Sequence, residues 1–164
     1  MSGTLVAGVG NIFFGDDAFG SEAARRLQRE KWPEGVRVID FGIRGLDLTY
    51  ALLDGYDTVI LLDASPRGGA PGTLYTIEPD LTDLPAGEVE THGMEPLRVL
   101  AVARSMGAEW KRLLVVACEP TPGSADPDGP GSMEMTEAVQ WAVEETVDVV
   151  RSLLCESISA NSAK

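Results

Sequence analysis

One feature constrains the fold more than any other: short apolar runs alternate with longer segments of helical period along most of the chain. Thr4 to Val9, Val36 to Asp40, Thr58 to Asp63 and Arg112 to Cys118 have strand length and are rich in Val, Ile and Leu. Ser21 to Lys31, Leu46 to Leu53, Pro96 to Met106 and Thr136 to Leu154 read as helices between and after them. A parallel neighbour is reached only through a crossover, so this order implies an α/β fold with parallel pairing and helices on both sheet faces. Thr73 to Ile77 is the exception, because only the Gly/Pro-rich stretch Pro66 to Gly72 separates it from the preceding strand. That is too short for a crossover helix, and this strand is expected to run antiparallel.

The 164 residues suit one domain. We expect a single α/β domain over residues 1–155 and a flexible, frayed tail over 156–164. In the last helix, Ala138, Trp141, Ala142, Val149, Leu153 and Leu154 form the apolar stripe of a helix laid on a sheet. A formal net charge of -13 opposes phosphate backbones and anionic lipid headgroups, so neither nucleic acid nor a membrane is an expected partner. Residues 1–10 show no basic targeting segment, and no apolar run approaches the roughly 20 residues of a spanning helix, so a cytoplasmic location is expected. The two cysteines, Cys118 and Cys155, form no disulfide framework and no metal knuckle. With one histidine in the chain, imidazole chemistry rests on His92.

Ligands of open α/β sheets sit outside the carboxyl ends of the parallel strands. At those ends this chain places Gly8-Val9-Gly10-Asn11 with Asp16-Asp17, then Asp40, then Asp63, then Cys118-Glu119-Pro120. His92 lies in the loop before the Pro96 helix, which leads from the same edge. The glycines after the first run do not make a dinucleotide fingerprint, since no glycine follows Gly10 at the required spacing. Gly10 to Gly15 has P-loop spacing, but Asp16 stands where the phosphate-binding lysine belongs and Asp17 follows it. Two carboxylates there repel an anion and attract a cation.

Asp17, Asp63 and His92 together offer two hard oxygens and an imidazole, a set that suits borderline divalent ions such as nickel or zinc and leaves coordination positions open. An ion held there could polarise a peptide carbonyl or acidify a water. Bland roles compete at each position. Asp16 or Asp17 can cap the following helix, Asp63 can close a turn with Ser65 and Pro66, and a lone loop histidine is commonly a surface residue.

These residues resemble the hydrogenase maturation endopeptidase family. The resemblance runs from Leu5 to about Leu154 and is carried by Gly8-Val9-Gly10-Asn11-Ile12, the Asp16-Asp17 pair, Gly20, Asp40-Phe41-Gly42-Ile43-Arg44-Gly45, Asp63-Ala64, Pro71-Gly72-Thr73 and Thr91-His92-Gly93. It implies a three-layer α/β/α sandwich around a twisted, mixed five-stranded sheet with one antiparallel strand. It also implies an endopeptidase that trims the C-terminal extension of a nickel-iron hydrogenase large-subunit precursor. Asp17, Asp63 and His92 then engage nickel carried by the precursor, with no permanently bound cofactor in the enzyme, and a monomer is expected. Asn11, Asp16, Asp40, Gly42 and Gly45 are assigned to substrate binding, the last three shaping a groove for the C-terminal peptide. Phe41 departs from the glycine often found there.

Three other readings compete. A nickel chaperone would use the same ligands without catalysis. A receiver-like signalling domain shares the acidic pair and Asp63, but expects a lysine where Cys118-Glu119-Pro120 stands. A cysteine hydrolase would pair Cys118 with His92.

Overall fold

The computed structural model describes residues 3–80, 95–124 and 134–162. Five strands, β1 (Thr4–Val9), β2 (Val36–Gly42), β3 (Thr58–Ala64), β4 (Leu74–Ile77) and β5 (Arg112–Cys118), form one sheet in the order β2-β1-β3-β5-β4. β1, β2, β3 and β5 are parallel, whereas β4 pairs antiparallel with β5, Leu74 opposite Cys118 and Ile77 opposite Val115. The short Pro66 to Gly72 connection leaves that strand no other direction.

Helices α1 (Phe19–Leu27), α2 (Gly45–Leu53), α3 (Pro96–Ser105) and α4 (Glu137–Ser162) supply the outer layers. Strand side chains alternate between two cores. Val6, Ile60, Leu62, Leu114 and Val116 pack with Phe19, Ala23 and Leu27 of α1 and with Val139 and Val150 of α4. Leu5, Ala7, Val59, Leu61 and Leu113 pack with Leu48 and Leu52 of α2 and Leu100 and Ala103 of α3. Both sheet faces are therefore covered, which is why these strands read as unbroken apolar runs. Phe41, where a glycine was the family expectation, joins the second core and is buried.

Two expectations need correction. Ala138 and Trp141 are both exposed, because the buried stripe of α4 runs through Val139, Ala142, Val143, Thr146 and Val150, and neither a residue just before Val139 nor one two positions past it shares that face. The backbone is also helical to Ser162, where a tail from residue 156 was expected; nothing from Cys155 to Ser162 is Gly or Pro, so the sequence holds no breaker there. Among the described residues, no helix is long and apolar enough to cross a membrane.

The glycines after β1 serve packing. A Cβ on Gly20 would collide with the carbonyl oxygens of Val9 and Leu62, and one on Gly8 with the carbonyl of Gly20. Bare backbone lets the start of α1 sit directly on β1 and β3, and that approach sets the position of the loop between them.

Candidate functional site

Between β1 and α1 the chain makes a tight loop and a 3-10 turn over Gly15–Ala18. Asn11 organises it: its Oδ1 accepts from the Phe13 N–H at 3.0 Å, and its own N–H donates to Asp17 Oδ2 at 3.2 Å. A side chain on Gly10 would meet the Asp17 carbonyl, so the loop closes only over glycine. This construction holds Asp17, half-buried, at the carboxyl edge of the sheet.

Five acidic side chains stand at that edge, and their partners sort them. Asp16 is fully buried. Its oxygens accept from the Thr136 N–H at 2.7 Å, the Thr121 N–H at 2.8 Å and the Thr136 hydroxyl at 2.9 and 3.0 Å. A carboxylate so enclosed cannot reach a substrate, which corrects its assignment to substrate binding; it also caps no helix through a side-chain bond. Asp40 bonds Arg25 Nε at 2.9 Å and accepts from the Gly42 N–H at 2.9 Å, and so fixes the turn in which Gly42 takes a left-handed φ of 57°. Glu119 is buried and accepts from the N–H groups of Arg67 at 2.7 Å and Gly68 at 3.1 Å and from the Tyr75 hydroxyl at 3.2 Å. Burial pushes its carboxyl up, but these donors outweigh it and hold the group below the usual glutamate range.

Among the described residues, Asp17 and Asp63 have no such structural employment. Neither takes part in an ion pair among the described residues. Burial raises the Asp17 carboxyl, opposed by the Asn11 N–H. Burial and then the nearby Asp17 charge push Asp63 up to about 7, with the Ala64 N–H opposing. A cation beside them would favour the charged form of Asp63, which burial and the Asp17 charge oppose.

A cleft of about 290 Å³ lies beside Asp63, with Leu61, Val115 and Ala117 of the sheet, Ile77 and Pro79 after β4, and Pro96 and Leu97 of α3 in its lining. Ser65 and Arg67 add polar groups. Asp40, Gly42 and Gly45 do not line it; they stand at the β2 side of the sheet, where Gly42 accepts from the Gly10 N–H at 3.0 Å and Gly45 opens α2. His92 lies outside the described residues.

Two competing readings fail on geometry. A receiver-like domain has the doubly wound order 2-1-3-4-5, whereas here β5 lies inside and the antiparallel β4 at the edge. Cys118 is fully buried, its thiol pushed up to about 12 by burial and then by the charges of Asp16, Glu119 and Glu145. A thiol held protonated and sealed from solvent is no nucleophile.

The family model described as HycI, hydrogenase maturation protease, matches residues 22–153. The chain is 32% identical over 158 residues to the hydrogenase expression/formation protein HupD of Rhodobacter capsulatus, covering 87% of this chain and 74% of that one. Among solved structures it superposes on the hydrogenase maturating endopeptidase HybD from E. coli with a TM-score of 0.74 at 27% identity, covering 94% of this chain and 93% of the other. A hydrogenase 2 maturation peptidase from a Thaumarchaeota archaeon gives a TM-score of 0.69 at 29% identity, with 93% and 98% covered. The matched family span includes Asp63 and His92 and begins after the loop that carries Asp17.

Proposed function

Because the chain belongs to the hydrogenase maturation protease family, we propose that this peptide hydrolase removes the C-terminal extension of a nickel-loaded nickel-iron hydrogenase large-subunit precursor, recognising the substrate's nickel through Asp17, Asp63 and His92. The observation that carries this reading is the pair of half-buried carboxylates at one sheet edge, Asp17 raised by burial and Asp63 by burial and then the Asp17 charge, without an ion-pair partner among the described residues. A precursor that brings a divalent ion supplies the missing positive charge. It also displaces the proton that Asp63 holds near neutrality.

The chain's own residues then divide the work. Asn11 fixes the Asp17 loop, and the apolar cleft beside Asp63 takes the peptide next to the scissile bond. The sequence separates His92 from Glu95, at the start of the α3 turn, by three peptide units, about 11 Å of chain at most. Glu95 itself helps to line the cleft. The enzyme acts as a cytoplasmic monomer and holds no permanent cofactor.

His92→Ala should end processing of nickel-loaded precursor, read as loss of the gel shift of the large subunit, while circular dichroism and melting stay those of the wild type. Normal processing by that variant overturns the ligand assignment. A chaperone using the same residues predicts stoichiometric nickel on the purified resting protein and no cleavage. The peptidase reading predicts cleavage and little nickel before substrate arrives.

A further inference from the structure

The carboxyl edge carries a second feature that peptide cleavage alone does not explain. Phe13, Ile43 and Leu46 are 62%, 64% and 65% exposed, and Ile12 and Phe14 beside Phe13 are exposed as well. Single exposed apolar residues are ordinary, but three in a row at a loop tip are not. Ile12, Phe13 and Phe14 lie on the loop after β1, Ile43 on the turn after β2 and Leu46 in the first turn of α2 that follows it; the two segments leave adjacent strand ends, joined where the Gly10 N–H donates to the Gly42 carbonyl at 3.0 Å.

Both loops are built to hold that display. The Asn11 side chain accepts from Phe13, and the Asp17 N–H donates to the Phe14 carbonyl at 3.0 Å. On the other loop, Asp40 accepts from Gly42 and its carbonyl takes Arg44 Nη2 at 2.6 Å. The charged side chains in residues 10–15 and 42–47 are Arg44 and Asp47, paired at 3.3 Å. On a chain of net charge -13, this leaves an electrically neutral apolar rim beside the carboxylates.

We propose that this rim is the docking surface for the folded body of the precursor, seated on the β1–β2 side while the C-terminal peptide lies in the cleft on the β4 side. The proposal rests on the functional reading above and names the surface that reading requires. Its occupant follows from continuity: the loop that presents Phe13 and Phe14 is the loop that carries Asp17, so whatever brings an ion to Asp17 lies against them. A second copy of this chain seated there would crowd the same carboxylates and exclude substrate. Exposed aromatic and aliphatic anchors around a site are the groups that dominate protein interfaces.

The test uses the full chain and purified nickel-loaded precursor. Ile43→Ser with Leu46→Ser, and separately Phe13→Ser, should raise KM for the precursor about tenfold or more, as expected for interface anchors, with kcat at saturation within about twofold and an unchanged melting profile. Trp141→Ser and Met106→Ser, which remove exposed apolar residues elsewhere, should leave KM unchanged. If wild type processes the precursor and the rim variants keep its KM, the docking surface is refuted and the functional reading stands. If the rim variants instead convert a wild-type dimer to a monomer in sedimentation, with KM unaltered, the rim is a self-association face and the proposal fails. A wild-type protein that does not process the precursor sinks the functional reading and this inference with it.

Discussion

At Asp63 the proposed role and stability pull in opposite directions. Its carboxyl is held at about 7 against an ordinary 3.8, first by burial and then by Asp17. The folded protein therefore binds this proton more tightly than the unfolded chain. The group's contribution to stability is complete below about pH 3.8 and is lost as the pH rises to and through about 7. Asp63→Asn removes the charge that is forced into this site. The variant should be no more stable than wild type at pH 4 and progressively more stable up to pH 8, by roughly 1–3 kcal/mol after allowance for its partial exposure. Urea titrations at several pH values measure the difference, and an advantage that shrinks with rising pH would contradict the coupling. The same variant should lose processing, as expected where a site is kept strained for function.

At the scale of elements, the decisive contact is α1 on the sheet. Gly20 has the carbonyls of Val9 and Leu62 where a Cβ would stand. Gly20→Ala must push α1 outward and carry the Asp17 loop with it. We expect a loss of about 1–3 kcal/mol or more, with processing reduced in the fraction that remains folded; a melting temperature equal to wild type would mean the helix tolerates the shift. This scale also shows what the sequence made legible. Arg112–Cys118 was readable as a strand because Leu113 to Cys118 is an unbroken apolar run buried between the two helical layers. β4 was readable in direction because chain length alone decides it. The 3-10 turn at Gly15–Ala18 was hidden in a stretch that reads as loop, since its order comes from bonds between Asn11 and Asp17 and not from periodicity. The acids at the sheet edge were legible as a group, whereas their individual roles were not. Asp16 takes its partners 105 and 120 positions away and Glu119 its own 51 and 52 away, and no local pattern announces such contacts.

For the whole molecule, Asp16 is the knot that joins three distant stretches: the loop after β1, the segment after β5 through Thr121, and the approach to α4 through Thr136. Thr121 and Thr136 are further linked by a hydroxyl pair at 3.0 Å. Removing the carboxylate leaves two backbone N–H groups facing a buried gap, each costing about 1–3 kcal/mol when unsatisfied. Asp16→Ala should therefore lower global stability by about 2–5 kcal/mol in one cooperative urea transition, with an unchanged slope if the unfolded chain is unaffected. Asp17→Ala should behave in the opposite way, because among the described residues Asp17 ties no distant segment and its side chain accepts from Asn11 in its own loop. It should keep or raise stability and abolish processing, while Asp16→Ala, assayed well below its melting temperature, should retain processing by the folded fraction. Neighbours in sequence and identical in chemistry, these two acids separate only through what surrounds them. Equal loss of stability in both variants, or loss of activity in the folded Asp16 variant, would show that the knot and the site are one unit.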